Sequence, residues 1–177
     1  RVKKGLITAA LVGYTNAGKS TLINRLAGAS EKVEDQMFTT LDPSIRKVHI
    51  QNGKLILLSD TVGFVKKLPI QLVAAFKATL EEVLEAHFLL HVVDVSNPHM
   101  KDHIKAVDCI LSELNANNKE SILILNKVDK LDKRKSIHML PQIYPYCVEV
   151  SALTGEGIEE LLGILLRMVQ HYHYSKK

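Results

Sequence analysis

Eight consecutive residues, Gly13-Tyr14-Thr15-Asn16-Ala17-Gly18-Lys19-Ser20, fit the spacing G-x-x-x-x-G-K-[ST]. That spacing suits a polyphosphate. Glycine lets the backbone curl closely around phosphate oxygens. The amides of Asn16 to Thr21 then point inward at a helix N-terminus, where the dipole also favours anions. Lys19 supplies a point charge for β- and γ-phosphates. The Ser20 hydroxyl is an oxygen ligand of the kind Mg²⁺ prefers.

A second cluster suits a purine base. Asn126-Lys127-Val128-Asp129 follows the apolar run Ile122-Leu123-Ile124-Leu125. A carboxylate at Asp129 can accept hydrogen bonds from the N1–H and N2 amino edge of guanine. Adenine presents an acceptor at N1 and lacks that amino group. Leaving the carboxylate covered and unpaired costs roughly 3–6 kcal/mol, taking each charged bond at ~1.5–3. This disfavours an ATPase or small-molecule kinase. The Lys127 stem can lie along base and ribose. Ser151-Ala152-Leu153-Thr154-Gly155 follows a later strand, and a backbone amide near Ala152 can donate to guanine O6. N-K-x-D alone is a weak signal. It gains force from a preceding phosphate loop, because α/β sheets bind ligands beyond the carboxyl ends of their strands.

A third set suits the γ-phosphate. In Asp60-Thr61-Val62-Gly63, Asp60 is expected to hold Mg²⁺ through water and the Gly63 amide to bond the γ-phosphate. In Phe38-Thr39-Thr40-Leu41-Asp42-Pro43, a threonine completes the Mg²⁺ shell when GTP is present. Such loops order on the γ-phosphate and relax after hydrolysis. Many GTPases orient the attacking water with a glutamine just after Asp-x-x-Gly. Here Phe64 stands there and cannot hydrogen-bond water. Two readings follow: a slow GTPase accelerated by a partner, or a GTP-gated binding module whose hydrolysis only resets it.

These residues need a scaffold. The spacing predicts strands at 7–12, 45–50, 54–59, 88–94, 121–126 and 147–151, with helices at 19–27, 69–86, 98–115 and 158–172. Asn52-Gly53 predicts a hairpin joining the second and third strands. Ser96-Asn97-Pro98 reads as a helix cap with proline at the first helical position. Leu161, Leu162, Leu165, Leu166 and Val169 give the last helix a broad apolar face. The alternation predicts one doubly wound α/β domain with a mostly parallel six-stranded sheet. The connections 27–38 and 63–68 lack periodicity and are expected to be mobile. The 177 residues are 46% hydrophobic and 24% charged, which excludes a wholly disordered or collagen-like chain. The net charge of +4 is compatible with an anionic partner without identifying one. No apolar run reaches the ~20 residues of a membrane helix. The start at Arg1 rather than Met suggests a fragment or processed piece.

The phosphate-loop, Phe-x-Thr, Asp-x-x-Gly, Asn-Lys-x-Asp and Ser-Ala-x-x-Gly elements resemble those of translation-factor-class GTPases. The longer strings GYTNAGKSTL, MFTTLDPSIR, DTVGF, LPIQLVAAFKATLEEV and LLHVVDVSNP resemble the HflX family of ribosome-associated GTPases across about residues 5–165. The resemblance implies the Ras-like P-loop G-domain fold, GTP and GDP as ligands, slow hydrolysis of GTP, and Mg²⁺ as cofactor. Lys19, Thr40 and Gly63 would carry the reaction. The magnesium threonine would be Thr40 rather than Thr39, because the family pattern sets it directly before Leu-Asp-Pro. It also implies a monomer in the cytoplasm, with a weak peripheral membrane contact left open, and the large ribosomal subunit as partner. The N-terminal domain that family members carry is absent from these residues. Some phosphate-loop GTPases with asparagine at the position of Asn16 bind K⁺ beside the phosphates, which makes K⁺ a second cofactor expectation.

Other features read as ordinary. Cys109 and Cys147 read as reduced, buried thiols. His99 and His103, four apart, read as a solvated helix face rather than metal ligands. His171, Tyr172, His173 and Tyr174 read as a frayed terminus. Lys66-Lys67 and Lys133-Arg134-Lys135 read as solvated basic clusters.

Overall fold

A computed structural model describes residues 6–31, 45–61, 63, 81–131 and 144–174. Six strands form one sheet: β1 (Ile7–Val12), β2 (Ile45–Ile50), β3 (Lys54–Asp60), β4 (Phe88–Asp94), β5 (Ser121–Asn126) and β6 (Tyr146–Val150). Their order is β2-β3-β1-β4-β5-β6. Every pairing is parallel except β2 with β3. That antiparallel pair turns at Asn52 and Gly53, which both take positive φ (63° and 66°), as the hairpin signal requires.

Side chains along β1 alternate between two covered faces. Ile7, Ala9 and Leu11 join the core beneath α1 (Lys19–Glu31) and α3 (Ile158–Tyr174), with Leu22, Leu26, Leu161, Leu165 and Met168. Ala10 and Val12 face α2 (Met100–Glu113), with Val107 and Leu111. Helices on both faces account for strands that are apolar at nearly every position. The carboxyl ends of β1, β3, β5 and β6 carry the phosphate loop, Asp60, Asn126 and Ser151. The doubly wound expectation is thus met.

Several boundaries differ from the sequence reading. α1 runs on to Glu31, so part of the expected mobile connection is helix. β6 starts and ends one residue early, because Ser151 leaves the strand to bond Asp129. α2 begins at Met100 rather than Pro98. The capping chemistry still exists one tight turn earlier, where Asn97 Oδ1 accepts the His99 amide at 2.8 Å and the Met100 amide reaches Asn97 O at 3.1 Å. α2 ends at Glu113, and Asn115 takes a left-handed φ of 55°. The amides of Ala116 and Asn115 fold back to Leu111 O and Ser112 O, a Schellman closure.

The C-terminal tail is not frayed at 171–174. α3 continues to Tyr174, and Tyr172 packs on the core and edge-on to His87. The face of Leu161, Leu165 and Met168 recurs at Tyr172, which explains the extension. Both cysteines are free, but Cys109 is exposed and Cys147 half-buried. Cys109 lies off the Ile104–Val107–Leu111 stripe that α2 buries. Burial, with Glu149 and Glu160 adding, raises the Cys147 thiol's pKa. Among the described residues no helix is long and apolar enough to cross a membrane.

Candidate functional site

β1 delivers the chain into the phosphate loop, and the loop's shape is dictated by its neighbours. A Cβ at Gly13 would stand 2.4 Å from Val92 O, so only glycine lets β1 end against β4. Gly18 takes φ +96°, and a Cβ there would stand 2.3 Å from Asn126 Nδ2. Asn16 is itself left-handed at φ 61°. Lys19 opens α1 and is only 6% exposed. Its Nζ makes long contacts to Gly13 O (3.3 Å) and Tyr14 O (3.5 Å). Burial lowers its pKa, with Asp60 opposing that shift. A desolvated ammonium so weakly bonded is poised for an anion. Ser20 and Thr21 are exposed beside it.

Asp60 ends β3, and its buried Oδ1 has no hydrogen-bond partner among the described residues. Buried carboxylate oxygens are ordinarily satisfied. An orphan facing Lys19 fits a water-held Mg²⁺ beside Ser20. Thr61 Oγ1 donates to Leu11 O and secures the turn. Gly63 returns the chain to the phosphate loop: a Cβ there would stand 2.8 Å from Thr15 Cα and 3.2 Å from Lys19 Nζ. Asp60, Gly63, Thr15 and Lys19 therefore converge. Phe38, Thr39, Thr40, Val62, Phe64 and the clusters 66–67 and 133–135 lie outside the described residues.

The base pocket is tied to the phosphate loop through Asn126, which is 1% exposed. Its Nδ2 donates to Ala17 O at 2.9 Å, and its Oδ1 accepts the Ala152 amide at 3.0 Å. Both ends of the side chain bond protein, so Asn126 joins the two loops, and one Nδ2 hydrogen and one Oδ1 lone pair remain over. The Ala152 amide is spent on Asn126 Oδ1, and the next amide, that of Leu153, makes no hydrogen bond among the described residues. Lys127, left-handed at φ 70°, sends Nζ to Asn16 O (2.7 Å) and Asp94 Oδ2 (2.6 Å). Ser151 Oγ donates to Asp129 Oδ1 at 2.5 Å, orienting an exposed carboxylate. Leu153, two residues beyond Ser151, is 67% exposed.

The sequence reading left Asp94 unassigned. Burial opposes its charge, but hydrogen bonds from Lys127 and Ser96 outweigh that and hold its pKa down. It fixes Lys127 and, through it, Asn16. His103 is also more than a solvated residue, since its ring stacks on Tyr14 with centroids 3.9 Å apart and planes 7° apart. His91, 1% exposed behind the loop, shares Nδ1 with Tyr144 Oη at 2.9 Å, and Tyr144 donates to Asp108 at 2.7 Å. Burial, aided by the nearby Lys19 charge, lowers the His91 pKa to about 3.

Comparison with known proteins agrees with this geometry. A family model described as 50S ribosome-binding GTPase matches residues 8–127. The GTPase HflX of Magnetococcus marinus is 51% identical over 164 residues, covering 93% of this chain and 38% of that protein. The GTPase HflX of Escherichia coli is 44% identical over 166 residues, covering 93% of this chain and 39% of that one. The chain thus spans about four-tenths of the length of the curated relatives it matches. Among solved structures, a GTP-binding protein from Sulfolobus solfataricus in complex with GDP superposes with a TM-score of 0.77 at 26% identity. The match covers 94% of this chain and 53% of that one.

Proposed function

Because the chain belongs to the HflX family, and carries the domain of the 50S ribosome-binding GTPases, we propose that it binds GTP with Mg²⁺ and hydrolyses it slowly to GDP and phosphate. We propose further that the nucleotide state switches association with the large ribosomal subunit. One observation carries the reading. Asn126 joins Ala17 of the phosphate loop to Ala152 of the base loop, so phosphates and guanine are gripped by one rigid unit.

In this reading Gly13 to Thr21 cradle the phosphates and Lys19 meets the β- and γ-oxygens with a charge that an anion would restore to its full strength. Asp129, held by Ser151, accepts from N1–H and N2 of guanine. The Leu153 amide is the donor for O6. Lys127 flanks the base and ribose. Gly63 reports the γ-phosphate to the segment that follows it. Ser20 and Thr40 would ligate Mg²⁺, with Asp60 acting through water. Bound there, Mg²⁺ neutralises charge developing on the phosphate oxygens. Phe64 offers the attacking water no polar atom, so turnover by the chain alone is slow. K⁺ beside Asn16 belongs to the same proposal, and equal turnover in Na⁺ and K⁺ buffers would remove it. A cytoplasmic monomer suits this role.

GTP turnover alone and with separated ribosomal subunits tests the proposal. Slow basal turnover raised by the large subunit is expected. Basal turnover that no subunit changes, with GTP-dependent co-sedimentation intact, would favour the gated module over the accelerated enzyme. Equal sedimentation in GTP analogue and GDP would remove the ribosomal switch.

A further inference from the structure

Arg25 belongs to none of the nucleotide motifs. It lies six residues beyond Lys19 on α1, with its side chain exposed. Its guanidinium crosses to the base loop: Nε donates to Ala152 O at 3.0 Å, and Nη2 donates to Leu153 O. A Cβ at Gly155, on the same loop, would stand 3.8 Å from Nη1. The loop is otherwise closed on itself. The Ser151 amide reaches Glu156 O at 2.9 Å, and the Gly155 amide reaches Ser151 O at 2.8 Å.

The peptide held by Nε is the one joining Ala152 to Leu153. Its carbonyl is bonded to Arg25, and its N–H, on Leu153, takes no hydrogen bond among the described residues. In a planar trans peptide the C=O and N–H point in opposite directions. Pinning the oxygen toward α1 therefore aims the Leu153 N–H away from it. Asn126 holds the preceding amide, that of Ala152, and so leaves Leu153 as the neighbouring free donor.

We propose that Arg25 is a positioning residue for base recognition: it orients the Ala152–Leu153 peptide so that the Leu153 amide meets O6 of guanine, and thereby slows nucleotide release. This rests on the GTP-binding reading. Two charge-assisted bonds to carbonyls, one half-buried and one open to solvent, set the expectation that Arg25→Ala raises the release rate about five- to tenfold. The association rate should not move, because the phosphate loop forms the encounter site. Lys at this position keeps the charge with a single point of donation and should restore part of the effect.

The test is stopped-flow release of a fluorescent GDP from the 177-residue chain and from Arg25→Ala and Arg25→Lys, beside melting of the nucleotide-free proteins. Faster release from Arg25→Ala, unchanged association and melting temperature, and partial rescue by Lys are expected. With 6-thioguanosine diphosphate, whose sulfur is a weak acceptor, the gap between variant and wild type should shrink. Equal release from wild type and Arg25→Ala would overturn the proposal and leave GTP binding standing. So would faster release with a matching fall in melting temperature that Lys does not repair, or a gap that thio substitution leaves intact. If Arg25→Ala does not fold, Arg25→Lys alone decides, by showing or lacking intermediate release. No binding by the wild type would remove both readings together.

Discussion

Replacing Asn126 with alanine should loosen the protein and its ligand site in one step. Its side chain satisfies two buried backbone groups that lie far apart in sequence, Ala17 O and Ala152 N. Removing it strands both. Each unsatisfied buried group costs ~1–3 kcal/mol, so the change should destabilise the nucleotide-free fold by about 2–6 kcal/mol. That is a large part of the ~5–15 kcal/mol that holds a domain together. Urea unfolding of the nucleotide-free chain measures the first effect, and titration with fluorescent GDP measures the second. Both should fall. Gly18→Ala should act the same way, since its methyl would displace Asn126 Nδ2 and must accept φ +96°. A variant that loses GDP affinity while its nucleotide-free stability stays within about 0.5 kcal/mol would refute the clamp and assign Asn126 to the ligand directly.

Other outcomes follow from the same geometry. Lys19→Ala should weaken GTP by about a hundredfold, two charged phosphate contacts being worth ~1.5 kcal/mol each, and leave the melting temperature nearly unchanged; affinity within twofold of wild type would disprove its role. Asp129→Asn should weaken GTP and improve xanthosine triphosphate, whose C2 carbonyl can accept from the new amide, and retained preference for GTP over both XTP and ATP would contradict the base assignment. His91 has its pKa depressed to about 3, so it stays neutral in the fold while the unfolded chain takes up a proton below about 6.5. Its contribution is complete above pH 6.5 and is lost as pH falls toward 3, about 2 kcal/mol by pH 5. Denaturation midpoints at pH 7 and 5 should show this loss in wild type and a smaller one in His91→Asn, and parallel losses would exclude His91 as the source.

How much of this could be read from sequence depended on whether the signal was local. β5 announces itself because Ile122 to Leu125 are apolar at every position, which only a strand covered on both faces requires. The hairpin was legible in Asn52-Gly53 because both residue types accept positive φ readily and the turn needs nothing from outside those two residues. The site motifs lie on loops that the fold brings together, but they do not reveal which of their atoms bond within the protein. The motif gives no hint that the two ends of Asn126 bond Ala17 and Ala152, because both partners come from distant parts of the chain. Arg25 and His103 look solvated, since an exposed helix position gives no hint of a carbonyl or ring arriving from elsewhere in the fold. Tyr172 was lost in a polar tail, though it continues the apolar face of α3 by one more turn. Asp94 carried a usable signal, an acid at the carboxyl end of a buried strand. Its role appears only when Lys127 is found 2.6 Å away.

The central claim is that one rigid unit grips phosphates and guanine together. Competition against a bound fluorescent GDP, by GTP and by ATP with Mg²⁺ present, tests it most directly. The account predicts displacement by GTP at concentrations near those of the probe, and none by ATP at a hundredfold excess. Equal displacement by the two nucleotides would mean that the phosphate loop works alone, and that Asp129, Ser151 and Asn126 do not form a guanine site.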